Sequence, residues 1–165
     1  LGAAVVLAVP FRELLPWRME WLVIGLTATT PLIVLLIWLM KTSWQPVLEV
    51  RRFMEQAVIP FFGNLSILQL LLLAILAGVG EEFFFRAFLQ TWLSGILGTV
   101  TGLILASLIF GVCHLVTPFY GIFATAMGLY LGGLMLYTGN IWPPVIVHIL
   151  YDFIALISVM KMRRV

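Results

Sequence analysis

Trp21 to Met40, WLVIGLTATTPLIVLLIWLM, runs twenty positions without a charged residue, and comparable apolar runs recur down the chain. No other feature constrains the fold as tightly. A bilayer core is about 30 Å thick and takes ~20 apolar helical residues to cross. Backbone amides have no water to bond there, so only helices or a closed barrel can span it. The runs are long and do not alternate with polar residues, which selects helices. Composition agrees: 63% of the 165 residues are hydrophobic and 10% are charged, against roughly 45–50% and ~25% in soluble domains. The expected fold is an all-α polytopic transmembrane bundle of about five to six spans plus an interfacial amphipathic helix.

Leu1 to Pro10 reads as the tail of a span in a chain that begins inside an apolar segment, with no basic stretch ahead of it to make a signal peptide. Phe11 to Glu20 is a polar link, and Trp21 to Met40 is a span opened by an interfacial tryptophan. Lys41 to Asn64 mixes Glu49, Arg51, Arg52 and Glu55 with apolar residues at helical spacing, the pattern of an interfacial helix. Leu65 to Leu93 is one run of about 43 Å, longer than the lipid core, so it must tilt, protrude or break near Gly78 and Gly80. Further spans are expected at Ile96 to Val116, Phe119 to Thr138 and Val145 to Met160. Gly121, Gly128, Gly132 and Gly133 would allow close helix approach. The chain reads as one domain, 1–165, with its core at 65–160 and a fragmentary N-terminus.

Lys41, Arg51 and Arg52 lie four spans from Lys161, Arg163 and Arg164, so both groups fall on one side. The positive-inside rule makes that side, and the C-terminus, cytoplasmic. The net charge of +2 is small and no basic cluster suggests nucleic acid. The single cysteine, Cys113, excludes an intramolecular disulfide and a cysteine metal cluster and reads as a small apolar filler.

Between Leu65 and Val159 the charged or titrating residues, tyrosines and the cysteine aside, are Glu81, Glu82, Arg86, His114, His148 and Asp152. Charge at bilayer depth costs at least ~2.5–3.5 kcal/mol, so such groups are expected to face each other or a wet cavity. Glu82 and Arg86 are four apart and can pair along the helix as structural support. Glu81 is turned about 100° away and is free to face a cavity. His148 and Asp152 share a face, and Asp152 is expected to orient His148. Phe83 to Phe85, Phe88 and Phe110 are read as packing. Counted from a turn near Gly95, Glu81 lies about 21 Å down and His114 about 27 Å, in agreement. His148 lies only about 9 Å below its own turn and Asp152 about 15 Å. Closing that difference requires tilt, a deep turn at Asn140 to Pro144, or a helix break.

One carboxylate and two histidines can run hydrolysis. Glu81 would take a proton from water, one histidine would hold that water, and the other would stabilise the developing oxyanion. The same three residues, Glu81, His114 and His148, suit a divalent metal such as zinc with water in an open position, and the residues alone leave the two open. There is no H-E-x-x-H helix, no G-x-S-x-G serine, and no second aspartate to pair with Asp152 across the membrane.

EEFFFR (Glu81, Glu82, Arg86) fits E-E-x-x-x-R, FGVCH (Phe110, His114) fits F-x-x-x-H, and HILYD (His148, Asp152) fits H-x-x-x-N/D. In order and spacing this resembles the CAAX-prenyl-protease family, also called the Abi or bacteriocin-processing family, over Leu65 to Met160. The resemblance implies an all-helical, glutamate-dependent intramembrane endopeptidase acting on a lipidated or membrane-embedded peptide. It implies that Glu81 and His114 activate water and that His148 and Asp152 form the oxyanion hole. Metalloprotease chemistry is an alternative the family also carries. An aspartate at 152 could donate to an oxyanion only when protonated. Two other readings compete: a non-catalytic immunity or scaffold protein of this fold, and a proton or ion pathway.

Overall fold

The computed structural model describes residues 11–162. The expected span at Leu1 to Pro10, and Arg163 and Arg164, lie outside the described residues. After a short helix α1 (Phe11–Leu14) come α2 (Met19–Lys41) and α3 (Gln45–Phe53). A π-helical turn (Met54–Val58) leads to α4 (Ile59–Phe62). Then follow α5 (Ile67–Glu82), a π-helical segment (Phe83–Gln90) and α6 (Thr91–Leu97), which form one continuous rod. The chain closes with α7 (Thr99–Cys113), α8 (Pro118–Thr138) and α9 (Trp142–Met162). No strand occurs among the described residues.

Four stretches are long and apolar enough to cross a membrane: Met19–Lys41, Ile67–Leu97, Pro118–Thr138 and Trp142–Lys161. They carry large apolar side chains outward, Val34, Leu76 and Ile122 among them, each more than 60% exposed. In water this would be an aggregation surface; in lipid it is the ordinary outer face. The expected span at Ile96 to Val116 is shorter. Gly98 takes a φ of 87°, open to glycine, and splits α6 from α7. The 15 residues of α7 cover about 22 Å, less than the lipid core. The expected interfacial segment is α3 with its π turn and α4, burying Val47 and Ile59 and exposing Glu49, Arg52 and Glu55.

Helix ends follow local chemistry. Ser66 and Gln69 form a reciprocal capping box at the start of α5. The Thr117 hydroxyl accepts from the Tyr120 amide (3.1 Å), with Pro118 opening α8. Asn140 Oδ1 accepts from the Trp142 amide (3.0 Å) and starts α9.

No break occurs at Gly78 to Gly80; α5 passes through both. Gly78 instead permits contact with α9. A Cβ there would stand 2.6 Å from Ile149 Cγ1 and 3.0 Å from the Ile149 amide nitrogen. Of the expected contact glycines, Gly121, Gly128 and Gly132 lie against Leu115, Ser107 and Gln90, while Gly133 faces open space. Helices α2 and α9 run side by side in one direction. Gly25 meets Ile146, and Leu36 shares a core cluster with Tyr151. Lys41 and Lys161 therefore end on the same side of the bundle.

Candidate active site

Glu81 and Glu82 end α5, where the winding widens into the π-helical segment. Adjacent helical residues diverge by about 100°, and the two carboxylates meet different surroundings. Glu82 is fully buried and Arg86 is 2% exposed. Glu82 Oε1 lies 3.1 Å from Arg86 Nη1, the expected pair. The same oxygen also accepts a hydrogen bond from His148 Nδ1 at 2.7 Å. Glu82 therefore holds His148 as well as Arg86. Asp152, the expected orienting partner, stands on the other side of the ring, its Oδ2 3.4 Å from Nε2.

Glu81 is partly open, with 32% of its side chain exposed. Its Oε2 lies 3.5 Å from His114 Nε2 and 3.8 Å from His148 Nε2. Both distances exceed an ordinary N–H···O bond, and Oε2 has no hydrogen-bond partner among the described residues. One carboxylate oxygen thus faces both imidazoles without binding either.

His114 sits one residue past α7 with non-helical backbone (φ −104°, ψ 16°), so its ring folds back along the last turn. Its Nδ1 donates to the Phe110 carbonyl at 2.8 Å, which gives the F-x-x-x-H spacing a structural reason in this chain. Phe110 does more than the packing expected of it. Its ring lies 4.3 Å from the His114 ring and 4.3 Å from the Arg86 guanidinium carbon, a cation–π contact within a dry interior. Carbonyl and carboxylate oxygens only accept, so Nδ1 carries the hydrogen in both histidines. Each Nε2 is left facing Glu81.

The register agrees better than a turn at Gly95 allowed. Gly98 is 17 positions past Glu81 and 16 short of His114, or about 25 and 24 Å along the helices. The mismatch at His148 closes through a deep turn. Asn140 and Ile141 are 3% and 0% exposed, and the segment from Leu14 to Pro16 lies across them. Ile141 N donates to Leu14 O (3.1 Å), Trp142 Nε1 to Leu15 O (2.7 Å) and Asn140 Nδ2 to Pro16 O (3.0 Å). With the turn sunk below that cover, six residues of α9 reach the level of Glu82.

Beside the centre lies a largely apolar cavity of about 350 Å³ between α2, α3, α5, α8 and α9. Asp152 and Tyr120 line it, and the Tyr120 ring is 6.3 Å from that of His114. Sequence reasoning missed Tyr120; a tyrosine one turn into α8 carries no motif. Among the described residues no group of three His, Cys, Asp or Glu side chains is placed to hold a metal ion. The suggested Glu81, His114, His148 ligand set is not met among the described residues.

The sequence model of the Rce1-like family, type II CAAX prenyl endopeptidases, matches residues 63–154. The chain belongs to the Rce1-like family. The matched Rce1-like region starts at Gly63, just ahead of α5, and ends two residues past Asp152. It holds all six membrane-depth polar residues and Tyr120, while α2 and α3, which line the cavity, lie outside it. No curated protein and no solved structure matched the chain. Members of the Rce1-like family are typically peptidases of the CAAX type, which implies a peptide or protein substrate and a membrane setting.

Proposed function

We propose that this chain is an intramembrane endopeptidase that hydrolyses an amide bond in a lipidated or membrane-embedded peptide. The observation that carries the reading is Glu81 Oε2 standing 3.5 and 3.8 Å from two imidazole nitrogens contributed by different helices. Family membership supports the reaction class.

A water beside these atoms would donate one O–H to Glu81 and the other to His114 Nε2, leaving an oxygen lone pair for attack. As that oxygen bonds to the peptide carbonyl carbon, the water proton passes to Glu81 and the carbonyl electron pair becomes an oxyanion. His148 is flanked by Glu82 at Nδ1 and by Glu81 and Asp152 at Nε2, which sets the ring to donate from both nitrogens when protonated. Its Nε2–H would face the oxyanion. Collapse breaks the C–N bond, and the proton held at Glu81 moves to the leaving amine. Asp152, which lines the cavity, is assigned to holding the Nε2 side of His148. Because Lys41 and Lys161 share one side, the basic rim and the C-terminus are assigned to the cytoplasm.

Replacing Glu81 with Gln tests the reading. Cleavage of a lipidated peptide pool in proteoliposomes should fall by about 10²–10⁴-fold. Undiminished cleavage would refute it. A scaffold protein of the same fold would instead keep its cellular phenotype when Glu81, His114 and His148 are all alanine.

A further inference from the structure

Arg51 lies outside the family match and the catalytic centre, yet it lines the same cavity as Asp152. Its Nη2 donates to the Leu39 carbonyl in the last turn of α2. Its Nε is buried and has no hydrogen-bond partner among the described residues. No carboxylate among them stands within ion-pair distance of it. A guanidinium has no acceptor of its own and cannot shed its charge, so a buried N–H facing apolar walls costs free energy until an anion meets it.

The cavity is polarised. Asp152, which stands 3.4 Å from His148, lines its catalytic side. Leu36 clusters with Tyr151, which sets Asp152 near the level of Leu36, whereas Arg51 is tied to Leu39, about one turn further along α2. The remaining walls are largely apolar, Val47, Leu73, Ala77 and Leu156 among them. An apolar occupant with a negative end is repelled at one side and held at the other. Arg52 and Lys41 are exposed; Arg51 is turned inward instead.

We infer that Arg51 is a specificity-determining residue that binds the carboxylate of an apolar peptide segment lying in this cavity, fixing which way the peptide runs past Glu81. The inference rests on the peptidase reading, but its test is a binding measurement. Full-length chain carrying Glu81→Gln, so that no probe is cut, is placed in phosphatidylcholine nanodiscs. It is titrated with dansyl-trileucine as the free acid and as the amide. The acid should bind about tenfold or more tightly than the amide. Arg51→Gln should erase that preference and leave amide binding in place. Ala77→Phe, which narrows the cavity from the α5 wall, should weaken both probes. Equal binding of acid and amide by chain retaining Arg51 overturns the inference, as does unchanged binding in Ala77→Phe. Failure of the peptidase reading shows separately, as full cleavage by the Glu81→Gln chain.

Discussion

Glu81 and Glu82 are neighbours in sequence with opposite physical settings, and that contrast is testable residue by residue. Glu82 is wholly buried between Arg86 and His148. Removing one partner of a buried ion pair leaves the other charge uncompensated and costs about 3–5 kcal/mol. Glu82→Ala is therefore expected to lower the thermal midpoint markedly in detergent, with activity lost alongside. Glu81 is a third exposed and makes no contact shorter than 3.5 Å with either histidine. Glu81→Ala should lose cleavage and keep the midpoint within a few degrees. Circular dichroism melts of the two variants read the difference; equal destabilisation would mean that Glu81 is structural. Because the described donors form no metal group, cleavage is also expected to survive 1,10-phenanthroline, and inhibition reversed by added zinc would contradict that.

The elements explain what was legible beforehand and what was not. Apolar runs such as Trp21 to Met40 announce a helix whatever surrounds them, so α2, α5, α8 and α9 could be placed from the sequence. The pairing of Glu82 with Arg86 was also legible, since it needs only four residues of one helix. The bond from His148 to Glu82 was not. It depends on how closely α9 approaches α5, which Gly78 decides, and on a turn buried beneath Leu14 to Pro16. The end of α7 at Cys113 was equally hidden, because the apolar run continues past it. Gly78→Leu is expected to cost about 1–3 kcal/mol through overpacking, and to lower cleavage in the folded fraction as His148 is displaced. Gly133→Ala, which meets nothing within 4 Å, should be neutral or stabilise by up to about 1 kcal/mol. Parallel melting and kinetic measurements separate the two; a harmless Gly78→Leu would show that the contact does not set the site.

At the scale of the molecule, a short helix among long ones brings an imidazole level with Glu81, near the middle of the rod from Ile67 to Leu97. Helix α7 stops at Cys113 and α8 begins at Pro118, so His114 caps a rod of about 22 Å. The parallel course of α2 and α9 puts Lys41 and Lys161 on the same side as the cavity's Arg51. Single cysteines introduced at Lys41 and at Lys161, in a chain with Cys113 replaced by Ala, should both react with a membrane-impermeant maleimide only after the cytoplasmic face is opened. Labelling of the two from opposite sides would contradict the packing of α2 against α9. The account as a whole is tested most directly by incubating the purified chain with a pool of lipidated peptides in H₂¹⁸O and reading the products by mass spectrometry. It predicts new carboxyl ends carrying one ¹⁸O, formed by the unaltered chain and not by Glu81→Gln. Intact peptides after prolonged incubation, or the same labelled products from both chains, would contradict it.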